Sequence, residues 1–243
     1  MANSFFQFKQ FIIQQDRCAM KVTTDACLFG AWAAERVRSR ESGVGSILDI
    51  GTGTGLLSLM IVQKIKANID AIEIDEAAFQ QANENIAASV FAERINILHG
   101  DAKTFSFNKK YELIISNPPF YENELKATHS KKNIAHHNEG LLLSELLPII
   151  KNNLAPDGIF YLLLPYKRNE EIKNLLFRHE FDVLQMILVR QSVNHDYFRI
   201  MLSGKLKKNE PVETLIDEIS ITDEKQQYTP QFTELLKDYY LNL

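Results

Sequence analysis

The residues best suited to chemistry are Asn117-Pro118-Pro119-Phe120, which close the apolar run Tyr111–Ser116. A short β-branched run bounded by prolines predicts a buried strand that ends where the chain must turn. Two successive prolines fix φ and leave carbonyls that no sheet ladder ties up. The corner therefore sets a side-chain amide and free acceptors at the carboxyl end of a strand, with an aromatic ring after them. Those parts suit an exocyclic amino group on a planar substrate: acceptors for its protons and a π-face for its ring. The plain alternative is an Asn-Pro turn followed by a core Phe.

A second motif lies upstream. Ile47-Leu48-Asp49-Ile50-Gly51-Thr52-Gly53-Thr54-Gly55 runs straight into Leu56–Val62, the form of a strand, a Gly-rich turn and an apolar helix. Glycines at such a turn permit tight bending and close approach of a ligand to the backbone. Glu73, at the end of the next apolar run, stands where a carboxylate accepts hydrogen bonds from ribose hydroxyls. A nicotinamide enzyme uses the same layout, but its pattern wants Gly or Ala three residues after Gly53, and Leu56 stands there. Gly100-Asp101-Ala102 adds a carboxylate just past a third strand, able to accept from an adenine amino group; the competing reading is a turn or helix-capping Asp. Asp75 precedes Glu76-Ala77-Ala78-Phe79 and is expected to cap that helix.

Strand-like runs occur at Ser46–Ile50, Ile69–Ile74, Arg94–His99, Tyr111–Ser116, Gly158–Leu164, Phe181–Val189 and Arg199–Leu206. Helical patterns fall between most of them, at Leu56–Lys66, Glu76–Ala88, Leu141–Leu154 and Arg168–His179. Alternation of this kind predicts βαβ units: an α/β fold with a seven-stranded, mainly parallel sheet and helices on both faces. Pro156-Asp157-Gly158 reads as a turn before the fifth strand. The expected organisation is one domain, with residues 1–45 as an N-terminal extension and first helix, 46–206 as the core and 207–243 as a C-terminal segment. In open α/β sheets ligands collect at the carboxyl ends of the strands, where Gly51–Gly55, Glu73, Asp101 and Asn117–Phe120 would converge.

Bulk properties agree. A chain of 243 residues, 45% apolar, is long enough for a sizeable core. No stretch approaches the roughly 18–20 apolar residues of a membrane span, and Met1-Ala2-Asn3-Ser4 lacks the regions of a signal peptide. Cys18 and Cys27 read as reduced buried thiols, so a cytoplasmic protein is expected. A net charge of −4 argues against an all-over nucleic-acid-binding surface, leaving local basic patches for any such contact.

The spacing Asp-x-Gly-x-Gly-x-Gly at Asp49–Gly55 resembles motif I of the S-adenosylmethionine-dependent methyltransferases. Together with Glu73, Asp101 and Asn117–Phe120, it resembles the amino-methylating class I enzymes, whose signature is N/D-P-P-Y/F/W. The N-terminal stretches Phe8–Phe11, Asp16–Val22, Thr24-Asp25 and Leu28–Trp32 are similar to the bacterial tRNA1(Val) adenine-N6 methyltransferase family, and the likeness runs from Phe8 to Tyr239-Tyr240-Leu241. Phe120 replaces the Tyr often found there, keeping the ring and losing a hydroxyl. The resemblance implies a Rossmann-like class I methyltransferase domain, S-adenosylmethionine as cofactor, and tRNA as partner with no membrane, no metal and no obligatory protein partner. It implies a cofactor site of Asp49, Gly51, Gly53, Gly55, Glu73, Asp101 and Ala102, with Lys21 and Thr24 near the methionine moiety. The same corner serves guanine-N2 methylation of ribosomal RNA and glutamine methylation of release factors, which stay open alongside a nicotinamide oxidoreductase and a catalytically silent RNA-binding module.

After the corner, residues 126–137 hold three lysines and three histidines with no acid. Lys126, Lys131 and Lys132 are the expected phosphate contacts. His129, His136 and His137 lack a partner cluster for a metal. Lys205, Lys207 and Lys208 read as an exposed strand end, and Phe5, Phe6, Phe8 and Phe11 as a docking segment or a stacking arm.

Overall fold

The computed structural model describes residues 3–39, 43–119 and 141–243. A hairpin of β1 (Phe5–Gln7) and β2 (Ile12–Gln14) opens the fold, followed by α1 (Thr24–Arg38). The alternating section comprises β3 (Ser46–Ile50), α2 (Leu56–Lys64), β4 (Asn68–Glu73), α3 (Glu76–Ala87), β5 (Ile95–His99) and β6 (Tyr111–Ser116). After it come α4 (Leu143–Asn153), β7 (Leu154–Pro165), α5 (Asn169–Arg178), β8 (Phe181–Ser192), β9 (Tyr197–Leu206), β10 (Leu215–Thr222) and α6 (Pro230–Leu236).

Among the described residues the main sheet has eight strands, in the order β10-β8-β9-β7-β6-β3-β4-β5. Strands β5, β4, β3, β6 and β7 pair in parallel, β9 runs antiparallel between β7 and β8, and β10 returns parallel to β8. The α/β expectation holds; the count is eight rather than seven, because the C-terminal segment supplies β10. Its first four residues are exposed, and its apolar alternation is confined to Ile219–Thr222, too short a run to betray it. The turn expected at Pro156–Gly158 is instead a bulge inside β7: Tyr111 pairs Leu154, and Leu113 then pairs Ile159.

Side-chain alternation along each strand feeds two apolar layers. Ile47, Leu113, Ile115, Tyr161 and Leu163 pack with α1, α2 and α6. Leu48, Ile50, Ile114, Phe160 and Leu162 pack with α4 and α5 on the other face. On α1, Gly30 lets α2 close in: an added Cβ would stand 2.7 Å from Met60 Sδ. Among the described residues no helix is long and apolar enough to cross a membrane.

Of the N-terminal aromatics, Phe6, Phe8 and Phe11 form a docking segment, while Phe5 is exposed. Phe8 and Phe11 are buried, and Phe6 and Phe8 lie with ring centroids 5.6 and 6.0 Å from Tyr240. Lys9 N–H donates to the Tyr239 carbonyl at 2.8 Å, and Phe8 bridges Tyr240. Cys18 and Cys27 are free and buried.

Candidate active site

The switch in strand order falls between β3 and β6, since β4 leaves on one side and β6 joins on the other. At that point the Ser116 hydroxyl donates to the Ile50 carbonyl at 2.7 Å, which fixes the end of β6 against the start of the Gly-rich turn. The N–H groups of Gly51 and Thr52 both donate to the Ile72 carbonyl, at 2.9 and 3.1 Å, drawing the turn over the end of β4. Gly51, Gly53 and Gly55 have φ of +71°, +57° and +82°. An added Cβ at Gly51 or Gly53 would meet nothing within 4 Å. Backbone conformation, not packing, is what calls for glycine there, and the space before the turn is open to a ligand.

Asp49 points from β3 into the layer shared with α2 and is fully buried. Its Oδ2 accepts from the Thr52 and Ser58 hydroxyls, each at 2.7 Å, while Oδ1 has no partner among the described residues. Burial pushes its carboxyl up to about 6, against the pull of the two hydroxyl bonds. Glu73 is buried at the end of β4. Its Oε2 accepts from Gly53 N–H at 2.9 Å, and its Oε1 from the N–H groups of Ile74 and Asp75, both at 2.9 Å. A carboxylate has about four acceptor sites, so these bonds leave about one for a ligand hydroxyl.

Asp101 follows β5, and its geometry is that of a turn: Oδ1 accepts from Lys103 N–H at 2.9 Å and its carbonyl from Thr104 and Phe105 N–H. Ala102 packs at the margin of the second apolar layer. Asp75 caps α3 as expected, accepting from Ala78 N–H at 2.9 Å. His99 stacks on Phe79 and lies 3.2 Å from Glu76, a packing role. Lys21 is exposed, with Nζ 3.4 Å from the Asn3 carbonyl, and Thr24 opens α1. Neither hydrogen-bonds the Gly-rich turn.

Asn117 follows β6 directly. Its Oδ1 is buried with no hydrogen-bond partner among the described residues. An unpaired buried carbonyl costs about 1–3 kcal/mol, so the site holds an acceptor in want of a donor. Pro118 and Pro119 line a cleft with Leu141, Leu142, Leu143, Leu164 and Pro165. Phe120, Lys126, Lys131 and Lys132 lie outside the described residues, as do His129, His136 and His137. The site also contains residues that local pattern does not announce. Thr52 and Ser58 act on Asp49 across the turn, and Ile74 stands 62% exposed at the rim beside Glu73.

Sheet order, Gly-rich turn and acceptor-bearing corner together define a class I methyltransferase. Residues 35–158 match the family model described as the methyltransferase small domain. A tRNA1(Val) (adenine(37)-N6)-methyltransferase of Dyadobacter fermentans is 40% identical over 243 residues, covering 98% of both chains. Its namesake in Parabacteroides distasonis is 37% identical over the whole of both, and that of Pectobacterium carotovorum is 39% identical over 97% of this chain and 93% of its own. Among solved structures, the ribosomal protein L11 methylase of Lactobacillus delbrueckii has the same fold at TM-score 0.59 and 17% identity, covering 81% of this chain and 84% of its own. The glycopeptide N-methyltransferase MtfA in complex with S-adenosylmethionine also has it, at TM-score 0.53 and 12% identity over 73% and 94%. The chain belongs to the tRNA1(Val) (adenine(37)-N6)-methyltransferase family.

Proposed function

We propose that this chain transfers a methyl group from S-adenosylmethionine to the N6 amino group of adenine in a tRNA, at the anticodon-loop adenine of a valine tRNA. The observation that carries the reading is the unpaired, buried Asn117 Oδ1 at the carboxyl end of β6, beside the open Gly-rich turn. The cofactor's parts fit the residues present. Gly51, Gly53 and Gly55 give backbone access, Glu73 has acceptor capacity for ribose hydroxyls, and Asp49 keeps an unpartnered oxygen beneath the turn. Asp101 and Ala102 would flank the adenine, and Lys21 and Thr24 the methionine end. When bound, S-adenosylmethionine supplies a methyl group activated by its sulfonium.

The chain's own task is to make the amino group a nucleophile. The nitrogen lone pair of adenine N6 is delocalised into the ring. Asn117 Oδ1 and the Pro118 carbonyl would accept the two N6 protons, drawing the nitrogen towards sp³ and aiming its lone pair into the cofactor cleft. Pro119 stiffens the corner so that both acceptors are set before the base arrives. No strong base is needed, because the proton becomes acidic once the nitrogen carries the methyl, and it passes to solvent. Phe120 would stack on the base, a contact worth about 1–3 kcal/mol, and an unstacked loop adenine reaches such a corner most easily. Lys126, Lys131 and Lys132 would hold phosphates. A cytoplasmic site of action follows from that substrate. The sheet that runs unbroken from β5 to β10, with both apolar layers spread over it, supports reading the chain as one domain.

Methyl transfer to total RNA followed by nucleoside mass spectrometry tests the reading. N6-methyladenosine is the expected product; N2-methylguanosine, or methylation of a protein glutamine with RNA inert, would replace it. Asn117→Ala should lower turnover by about 10²–10³ while cofactor affinity stays within a few-fold.

A further inference from the structure

Two buried amides on α3 take no part in the chemistry above. Gln81 and Asn85 are 1% and 2% exposed, one helical turn apart, and both face the N-terminal segment. The Asn85 side chain bonds Gln14 as a neighbouring strand would: Oδ1 accepts from Gln14 N–H at 2.8 Å, and Nδ2 donates to the Gln14 carbonyl at 2.9 Å. The second Nδ2 proton goes to the carbonyl of Thr54, inside the Gly-rich turn, also at 2.9 Å. One side chain thus ties the hairpin to the loop that must receive the cofactor. Gln81 Oε1 accepts from Arg17 N–H at 3.0 Å, and Gln15 Oε1 from Val22 N–H at 2.8 Å, so the intervening stretch is pinned at both ends. That stretch passes the ribose-side carboxylate. Cys18 is buried within it, and its thiol is pushed up to about 11 by burial and by the charges of Glu73 and Asp75.

We infer that Asn85 is a positioning residue for cofactor binding, joining the Thr54 carbonyl of the Gly-rich turn to the N-terminal hairpin so that docking of residues 3–22 and formation of the cofactor cleft are one event. The inference rests on the functional reading given above. Residue type supports it: only a primary amide offers two donors and an acceptor on so short a stem. Aspartate there would set a negative charge against the carbonyls of Gln14 and Thr54. If only the docked form receives cofactor, the apparent dissociation constant rises by the reciprocal of the docked fraction.

The test uses the full chain with S-adenosylhomocysteine as probe, read by calorimetry and by hydrogen exchange. In the wild type, saturating probe should slow exchange at the Gln14 and Arg17 amides. Asn85→Ala should raise the dissociation constant about tenfold through the three main-chain groups it strands, with kcat at saturation within about threefold. Gln81→Ala, which strands only Arg17 N–H, should give a smaller rise. A dissociation constant in folded Asn85→Ala equal to that of the wild type would overturn the inference. So would exchange at Gln14 and Arg17 that ignores the probe in the wild type, a measurement independent of how any variant folds. Failure of the wild type to bind the probe at all would instead overturn the functional reading, and this inference with it.

Discussion

Asp49 sits where the residue chemistry and the stability of the protein pull apart. Its carboxyl is raised to about 6 by burial, so the folded state favours the protonated form. The stability it contributes is fully present below about pH 4 and is lost as the pH climbs to about 6, an effect on the order of 2–3 kcal/mol. Urea midpoints of wild type and Asp49→Asn should therefore diverge across that window, the wild type losing ground, and run parallel above about pH 7. Gly53 makes the complementary case. Its φ of +57° is one that branched residues rarely adopt, and no packing would oppose a side chain there. Gly53→Val should leave a folded protein with weakened S-adenosylmethionine affinity, and unchanged affinity by calorimetry would remove the turn from the site. The strand, turn and helix around Asp49 and Gly53 were legible in the sequence because such a turn needs its residue types at fixed spacing. Thr52, Ser58 and Asn85 were not, because a hydroxyl or amide takes its meaning from the partner it meets across the fold.

Among the elements, those with a sustained apolar run or a helical period were the readable ones. Ser46–Ile50 and Tyr111–Ser116 lie where their apolar runs placed them, and α2 and α3 begin at the residues the pattern marked. Three strands escaped: β10 shows water its first four residues, and the hairpin strands β1 and β2 are three residues each, too short for any period to register. The bulge at Pro156–Gly158 was misread as a turn because its residues are turn formers and only the pairing with β6 keeps them in the ladder. Contacts between elements make a further test. An added Cβ at Gly204 of β9 would stand 2.4 Å from Phe160 Cζ and 2.8 Å from the Asp182 carbonyl, whereas at Gly30 the nearest atom is the movable Met60 sulfur at 2.7 Å. Gly204→Ala should cost about 2–3 kcal/mol, lowering Tm by about 4–12 °C. Gly30→Ala should cost less, since a thioether yields and a backbone carbonyl does not. Calorimetric melting that reversed this order would show the β7–β9 contact to be the softer of the two.

For the molecule as a whole, a net charge of −4 means that affinity for a polyanion must be local. If Lys126, Lys131 and Lys132 hold tRNA phosphates, replacing all three with Ala should raise KM for RNA and flatten the log–log salt slope by about 2, at roughly 0.7 per contact on single strands. Cofactor affinity and the preference for adenine should survive, because neither depends on backbone charge. Wild-type RNA binding at every salt concentration would move the tRNA surface elsewhere.

The hairpin that Asn85 grips rests on its other side against Tyr239 and Tyr240, and the Lys9 ammonium donates to the carbonyl of Lys237, 228 positions along the chain. On the ribosome those partners emerge about 10–50 s apart, at about 5–20 residues per second. Through that interval the newborn chain carries Phe6 and Phe8 without the ring of Tyr240 that later lies against them. A segment made early is thus among the last to settle. A nascent chain stalled before residue 237 would present that aromatic hairpin to chaperones.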